Sequence, residues 1–432
     1  MKIRGFFSAD FTTHFATTLA LITTLGAIQP SSAGAATLED IYQKTLQRSE
    51  SIAVQKILVE QSANNLSRAR SKLGPQLNAG GNYTYQGRDG QSNLETSTLT
   101  RVGLSQPLFR GGALTNGIAI ANIDLSRAKT AEEQTRWNIW WTLTQAYYNV
   151  LRAEKALANY EELEGVLQRR QNEINRRVQL GRSRRADQAT TIGQRQTALA
   201  AIEQLRAQVQ VGRLFLQQMS GIADLGKLEV PAPAVSATRN DPQMDSRPDI
   251  QLRILNEKRA KEEVDFIEGN LWPELSLVGN YYPYRNDSFA TFQNSLRWDA
   301  GVQLTWTLDL EELNLTQRRD RELNRQAEEL RLAESRRLTT EEFQRRLTTL
   351  GGTQKQYTEL GKAVEASDRA WKALQADYRN GTIGLLEVVQ QENLYWESKR
   401  AYDNLKFDID LLSWEVLWLE GKAPTDLKGT AE

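Results

Sequence analysis

One stretch of this 432-residue chain is written twice. Leu73-x-Pro75-x-Leu77 followed by Gly81-Asn82-Tyr83 returns as Leu271-x-Pro273-x-Leu275 and Gly279-Asn280-Tyr281, each position displaced by 198 residues. The same displacement carries Ile52 onto Ile250, and one of 200 carries Gly181 onto Gly381, Leu205 onto Leu405 and Gly221 onto Gly421. A period this long exceeds the ~20 to 50 residues of solenoid repeats, so each copy is a whole half-structure with pseudo-twofold kinship to the other.

The amino terminus reads as an export signal over residues 1–35. Lys2 and Arg4 precede an apolar stretch around Leu19-Ala20-Leu21-Ile22 and the small residues Ala33-Gly34-Ala35, which fit cleavage after Ala35. The apolar stretch is too short and Thr-rich to span a bilayer, so removal is expected. The only histidine, His14, lies within it, and the chain has no cysteine. The exported part therefore lacks thiolate and imidazole metal sites, Ser-His or Cys-His nucleophiles and disulfides. No residue set points to an enzyme, a cofactor or a metal. With 54 basic and 54 acidic residues the whole chain is balanced, which gives no support for nucleic-acid binding.

Outside the Pro-x-Leu regions the chain is rich in Ala, Leu, Gln, Glu and Arg, the best helix formers. The absence of proline predicts a long helix over 113–180 and a counterpart over 312–380, interrupted only by Gly351-Gly352 and Gly361. Each ends at a Gly-bearing turn and returns as a second helix, 184–221 and 385–420. Helices this long suggest coiled coils. Between them the pattern changes to period two. Leu77, Ala79, Gly81, Tyr83 and Tyr85 alternate with polar residues, as do Trp298, Ala300, Val302, Leu304 and Trp306. Strands are expected near 75–86, 97–109, 273–284 and 296–308.

Trp298 and Trp306, eight residues apart, would stand roughly 20 Å apart along a membrane normal, close to the aromatic girdles of an outer-membrane barrel. Tyr83, Tyr85 and Tyr281 join them as interface aromatics. Tyr282, Tyr284, Phe289 and Phe292 enrich the second hairpin. Four strands cannot close a barrel, and open strand edges are not tolerated in lipid, so several copies must share one. The expected organisation is a first repeat over 36–225, a Pro-rich connector over 226–246, a second repeat over 247–421 and a short tail over 422–432. Trp137, Trp140 and Trp141 crowd one long helix as packing residues. The rival reading is a periplasmic coiled-coil structural or adaptor protein without a pore.

Taken in order, several short runs resemble the TolC family of outer-membrane factors across the whole exported chain. They are the paired Pro-x-Leu strand starts, Gln106-Pro107-Leu108-Phe109-Arg110-Gly111-Gly112, Arg247-Pro248-Asp249-Ile250 and Tyr378-Arg379-Asn380-Gly381-Thr382-Ile383-Gly384-Leu385-Leu386-Glu387-Val388. The resemblance implies a mainly α, mixed α/β membrane protein, a homotrimer with a 12-stranded outer-membrane β-barrel continued by a periplasmic α-helical barrel. It implies the exit duct of a tripartite efflux pump or a type I secretion system. Its partners would be a periplasmic adaptor, an inner-membrane pump of RND, ABC or MFS type, and outer-membrane lipid.

The resemblance also places a closure at the helical tips. By position, Asp187 and Glu387, six residues past the tip glycines, match its inward acids, and Tyr378 matches its tip tyrosine. The second acidic position falls on Gln390, the tip-arginine position falls on Ile383, and Arg182 is a substitute cation. Gly181, Gly381, Thr382, Ile383, Gly384 and Leu385 would meet the adaptor, with Ile383 and Leu385 exposed for it. Where family members often repeat the Pro-Leu-Phe-x-Gly-Gly run, the second copy has Trp306-Thr307-Leu308-Asp309-Leu310-Glu311.

Overall fold

Hydroxyl side chains start the first two helices. Thr37 caps α1 (Leu38–Arg48) through a reciprocal pair with Asp40, and Ser49 accepts from the Ile52 amide to open α2 (Glu50–Ser71). Ser49 thus splits into two helices a segment whose composition alone suggests one. The computed structural model describes residues 36–86, 95–231, 244–287, 297–307 and 316–422. The proposed leader, Phe289, Phe292, the Leu308–Glu311 junction, most of the connector and the end of the tail lie outside those residues.

The first copy continues through β1 (Gln76–Gln86), β2 (Glu95–Phe109), α3 (Ala113–Gln179) and α4 (Arg185–Ser220). With 67 residues, α3 is about 100 Å long. Gly111 and Gly112, both at positive φ, turn β2 into α3, and a Cβ on Gly111 would overlap the Gly269 carbonyl. The second copy has a single 3-10 turn (Met244–Ser246), then α5 (Pro248–Asn270), β3 (Glu274–Tyr281), β4 (Arg285–Asp287), β5 (Trp298–Thr305), α6 (Thr316–Asn380) and α7 (Leu385–Leu419). The strand expected over 273–284 is interrupted: Tyr282 donates its amide to the Arg297 carbonyl, and β4 then pairs with β2. The next strand ends at Thr305, so Trp306 lies just past it, its indole donating to the Leu271 carbonyl at 3.2 Å.

The strands form one antiparallel sheet in the order β1-β2-β3-β5, with β4 on β2 beside the end of β3. Helix contacts give two further layers, α2-α3-α5-α6 next to the sheet and α4-α3-α7-α6 beyond. Among the described residues every layer is four elements wide, with one free edge at β1, α2 or α4 and the other at β5 or α6.

The main core sits where the helical layers meet. Ile41, Ile52, Leu143, Tyr147, Tyr148, Leu216, Leu225 and Trp414 are buried together there. The tryptophans expected as packing do pack: Trp140 meets Trp414 edge-on at 5.3 Å, and Trp141 stacks on Trp418 at 6.1 Å. Arg247 lies 4.7 Å over Trp418 and pairs with Asp249, which accounts for the Arg-Pro-Asp run. Tyr147 donates to the Glu229 carbonyl and Tyr148 to that of Pro231, each at 2.7 Å. Residues 225–231 are therefore tied to the core, although composition reads 226 onward as connector. Leu225 and Leu228 supply the apolar side chains that make the difference.

Candidate functional site: helical tips and sheet face

Both tips are built alike. At the first, the Arg182 amide donates to the Arg177 carbonyl and the Gly181 amide to that of Val178; at the second, Thr382 donates to Asp377 and Gly381 to Tyr378. This is the Schellman arrangement, which needs a left-handed residue, and Gly181 (φ +69°) and Gly381 (φ +80°) provide it. The returning helices then begin at Arg185 and Leu385.

The two acids behave differently. The Asp187 carboxylate accepts from the Ser183 hydroxyl at 3.0 Å and from the Arg184 amide at 3.2 Å, closing the first turn of α4. That is the capping role favoured at any helix start. Glu387 occupies the equivalent position in α7, is exposed, and has its carboxylate near Gly384. The apolar neighbours Leu385, Val388 and Val389 do not surround it, because helical spacing turns those three inward and Glu387 outward. Gln390 is exposed beside it.

Leu385 is buried against Ile174 and Val389, and Ile383 is half-buried on the cluster of Trp371, Val388 and Trp396. The expectation that these two stand free on the surface is therefore corrected. The exposed large apolar side chains at the tips are Leu180, 68% accessible, and Leu386, 66%. Tyr378 packs on Ile174 and Val178 beneath the Arg177 guanidinium, 4.8 Å away. Burial pushes its phenol above the usual 10.0, against the pull of Arg177, so it stays a neutral hydroxyl. Arg182 is exposed, in a cleft with Arg176 and Arg379.

One feature the sequence reading missed lies eleven residues from each tip glycine. Arg170 on α3 and Glu392 on α7 form an ion pair at 2.5 Å, with Glu392 1% exposed. It ties the two helical hairpins together. The near-mirror placement about Gly181 and Gly381 was the available signal.

At the other end, Tyr83, Tyr85, Tyr281, Trp298 and Trp306 are all exposed. The register puts Leu77 opposite Leu104, Val102 opposite Tyr281, Tyr281 opposite Trp298, and Leu277 opposite Val302. One sheet face is thus mainly apolar and uncovered, with Thr98 and Thr100 of β2 as hydroxyls among its large apolar side chains. The opposite face carries Asn78, Asn280 and Asp299, with Asn280 donating to Asp299 at 2.8 Å. No helix among the described residues is long and apolar enough to cross a membrane.

Residues 41–222 and 244–408 match the family described as outer membrane efflux protein. The chain is 24% identical over 225 residues to the outer membrane efflux protein BepC of Brucella suis; the match spans half of this chain and 48% of that protein. Among solved structures, the outer-membrane channel OprN superposes with a TM-score of 0.80 at 16% identity, covering 89% of both chains. The CmeC outer membrane channel of Campylobacter jejuni gives 0.76 at 14% identity, covering 96% of this chain and 94% of that one. Mainly helical, with one small antiparallel sheet, the chain shares the fold of channel proteins.

Proposed function

Since the chain belongs to the outer membrane efflux protein family, we propose that it forms the passive exit duct of an export machine. The observation that carries this reading is the uncovered apolar sheet face on a sheet with two free edges. In lipid such a sheet must close. A four-element slab with the same pair of edges at every level closes when β5 and α6 of one copy meet β1, α2 and α4 of the next. Three copies give twelve strands, enough for a barrel, and twelve helices in each helical layer. The apolar face then meets lipid, Tyr83, Tyr281 and Trp298 sit at its interfaces, and the row through Asn78, Asn280 and Asp299 lines water.

The tips form the closure and the docking end for a periplasmic adaptor that links the duct to an inner-membrane pump of RND, ABC or MFS type. Glu387 is the better candidate for the lumen acid because its carboxylate is free of the capping bonds that hold Asp187. Tyr378, Gln390 and Arg182 complete the constriction; Gly181, Gly381, Thr382, Ile383, Gly384 and Leu385 shape the docking turns.

The test is single-channel current from the detergent-extracted protein in a planar lipid bilayer. Discrete steps whose size or ion preference changes in Glu387→Gln support the duct and its constriction. Absence of current, with protein recovered only in the soluble periplasmic fraction, returns the chain to the coiled-coil alternative.

A further inference from the structure

Two clefts, of about 720 and 420 Å³, run end to end between α3 and α6 and share Arg169, Glu173 and Arg379. Along α3 they extend from Val166 to Leu180, about 21 Å of helix. Trp371, Tyr378 and Val388 give the inner cleft an apolar lining. Arg169, Arg176, Arg182 and Arg379 border the groove, and none of the four makes an ion pair among the described residues. The one acid on the walls, Glu173, is taken by Arg177 at 2.6 Å. Four unpaired guanidinium groups around one groove repel each other, on a chain whose overall charge is balanced.

We propose that this groove seats one helix of a partner protein, with apolar residues facing Trp371 and Val388 and carboxylates facing the four arginines. The proposal rests on the duct reading and specifies the chemistry of the docking partner. The groove's length accommodates four turns of helix, and guanidinium groups on both walls suit bidentate carboxylate recognition. A second copy of this chain does not supply the charge. Its free α4 edge begins with Arg184 and Arg185, and the carboxylate of Asp187 is held in the cap. Nor does a membrane surface fit, because the groove lies at the end of α3 remote from the apolar sheet.

The experiment measures fluorescence anisotropy of four synthetic peptides with the full-length detergent-solubilised protein. Three are amphipathic helices with one leucine stripe flanked by Glu, Gln or Lys; the fourth is the Glu peptide broken by a central Pro-Gly. The Glu helix is expected to bind at least about tenfold tighter than the Gln and broken-helix peptides, an advantage that shrinks as salt rises from about 0.05 to 0.5 M. Arg169→Glu with Arg379→Glu should transfer the preference to the Lys helix. If that pair disrupts assembly, Arg182→Gln and Arg379→Gln should each weaken Glu-helix binding about threefold. Equal binding of the Glu and Gln helices overturns the proposal, as does equal binding of the broken peptide or unchanged preference in the variants. Bilayer current from the same preparations separates the two readings: conduction without Glu-helix selectivity removes the groove and keeps the duct, and selectivity without conduction does the reverse.

Discussion

At single residues, the tip glycines and one carboxylate of α7 make the most direct predictions. A Cβ on Gly381 would meet nothing within 4 Å, so the whole cost of replacing it is backbone strain. Gly381→Ala should destabilise the turn by about 1 kcal/mol, whereas Gly381→Asn, which tolerates the left-handed region, should cost less. Hydrogen exchange at the Thr382 amide is the readout: roughly fivefold faster in the Ala variant, with an unchanged rate contradicting the account. On α7, burial raises the Asp410 carboxyl above its usual 3.8, opposed by Lys406. The sign follows from linkage. A raised acid contributes stability below its unfolded value and loses it as pH rises through its folded one. Asp410→Asn should therefore raise the Tm at neutral pH by about 1–2 °C, and the gain should fade toward about pH 4. A gain that persists undiminished at acid pH would show that the charge is not its source.

Between elements, Arg170–Glu392 is the most deeply buried of the ion pairs that join one helical hairpin to the other, among them Arg152–Asp408 and Lys399–Glu162. Removing one partner leaves a buried charge, so Glu392→Ala should destabilise by about 3–5 kcal/mol. Replacing both with apolar residues, Arg170→Met with Glu392→Leu, should recover most of that loss. Denaturant midpoints of the two variants decide it; equal losses would mean that the pair's geometry, rather than the stranded charge, is what matters. The elements themselves were largely legible in the sequence. Proline-free composition marks α3, period-two alternation marks the strands, and the Gly-bearing turns mark the tips. What could not be read is how two tips adjoin in space. The Leu385-Leu386-x-Val388-Val389 run looks uniformly apolar, and only helical phase shows that Leu386 and Glu387 point outward. The arginine-lined groove was hidden for the same reason, since its walls come from helices some 200 residues apart in sequence.

For the molecule as a whole, the duplication predicts two similar halves, and α2, β1, α3 and α4 do find counterparts in α5, β3, α6 and α7. The halves are not equivalent, however. Helix α3 has only Gly117 and Gly165 as interruptions, while α6 has Gly351, Gly352 and Gly361 near its middle. All remain helical, but a glycine pair is where a long helix bends most readily. Amide exchange across 348–356 is accordingly expected to outpace that of the facing, tryptophan-rich stretch of α3, and Gly351→Ala with Gly352→Ala should slow it; equal rates in the parent protein would refute the difference. Mechanically, the ancestral pair of rods has become a strut and a spring. In the duct proposed, any opening of the tips would then bend α6 more than α3 and be hinged on one of the two copies.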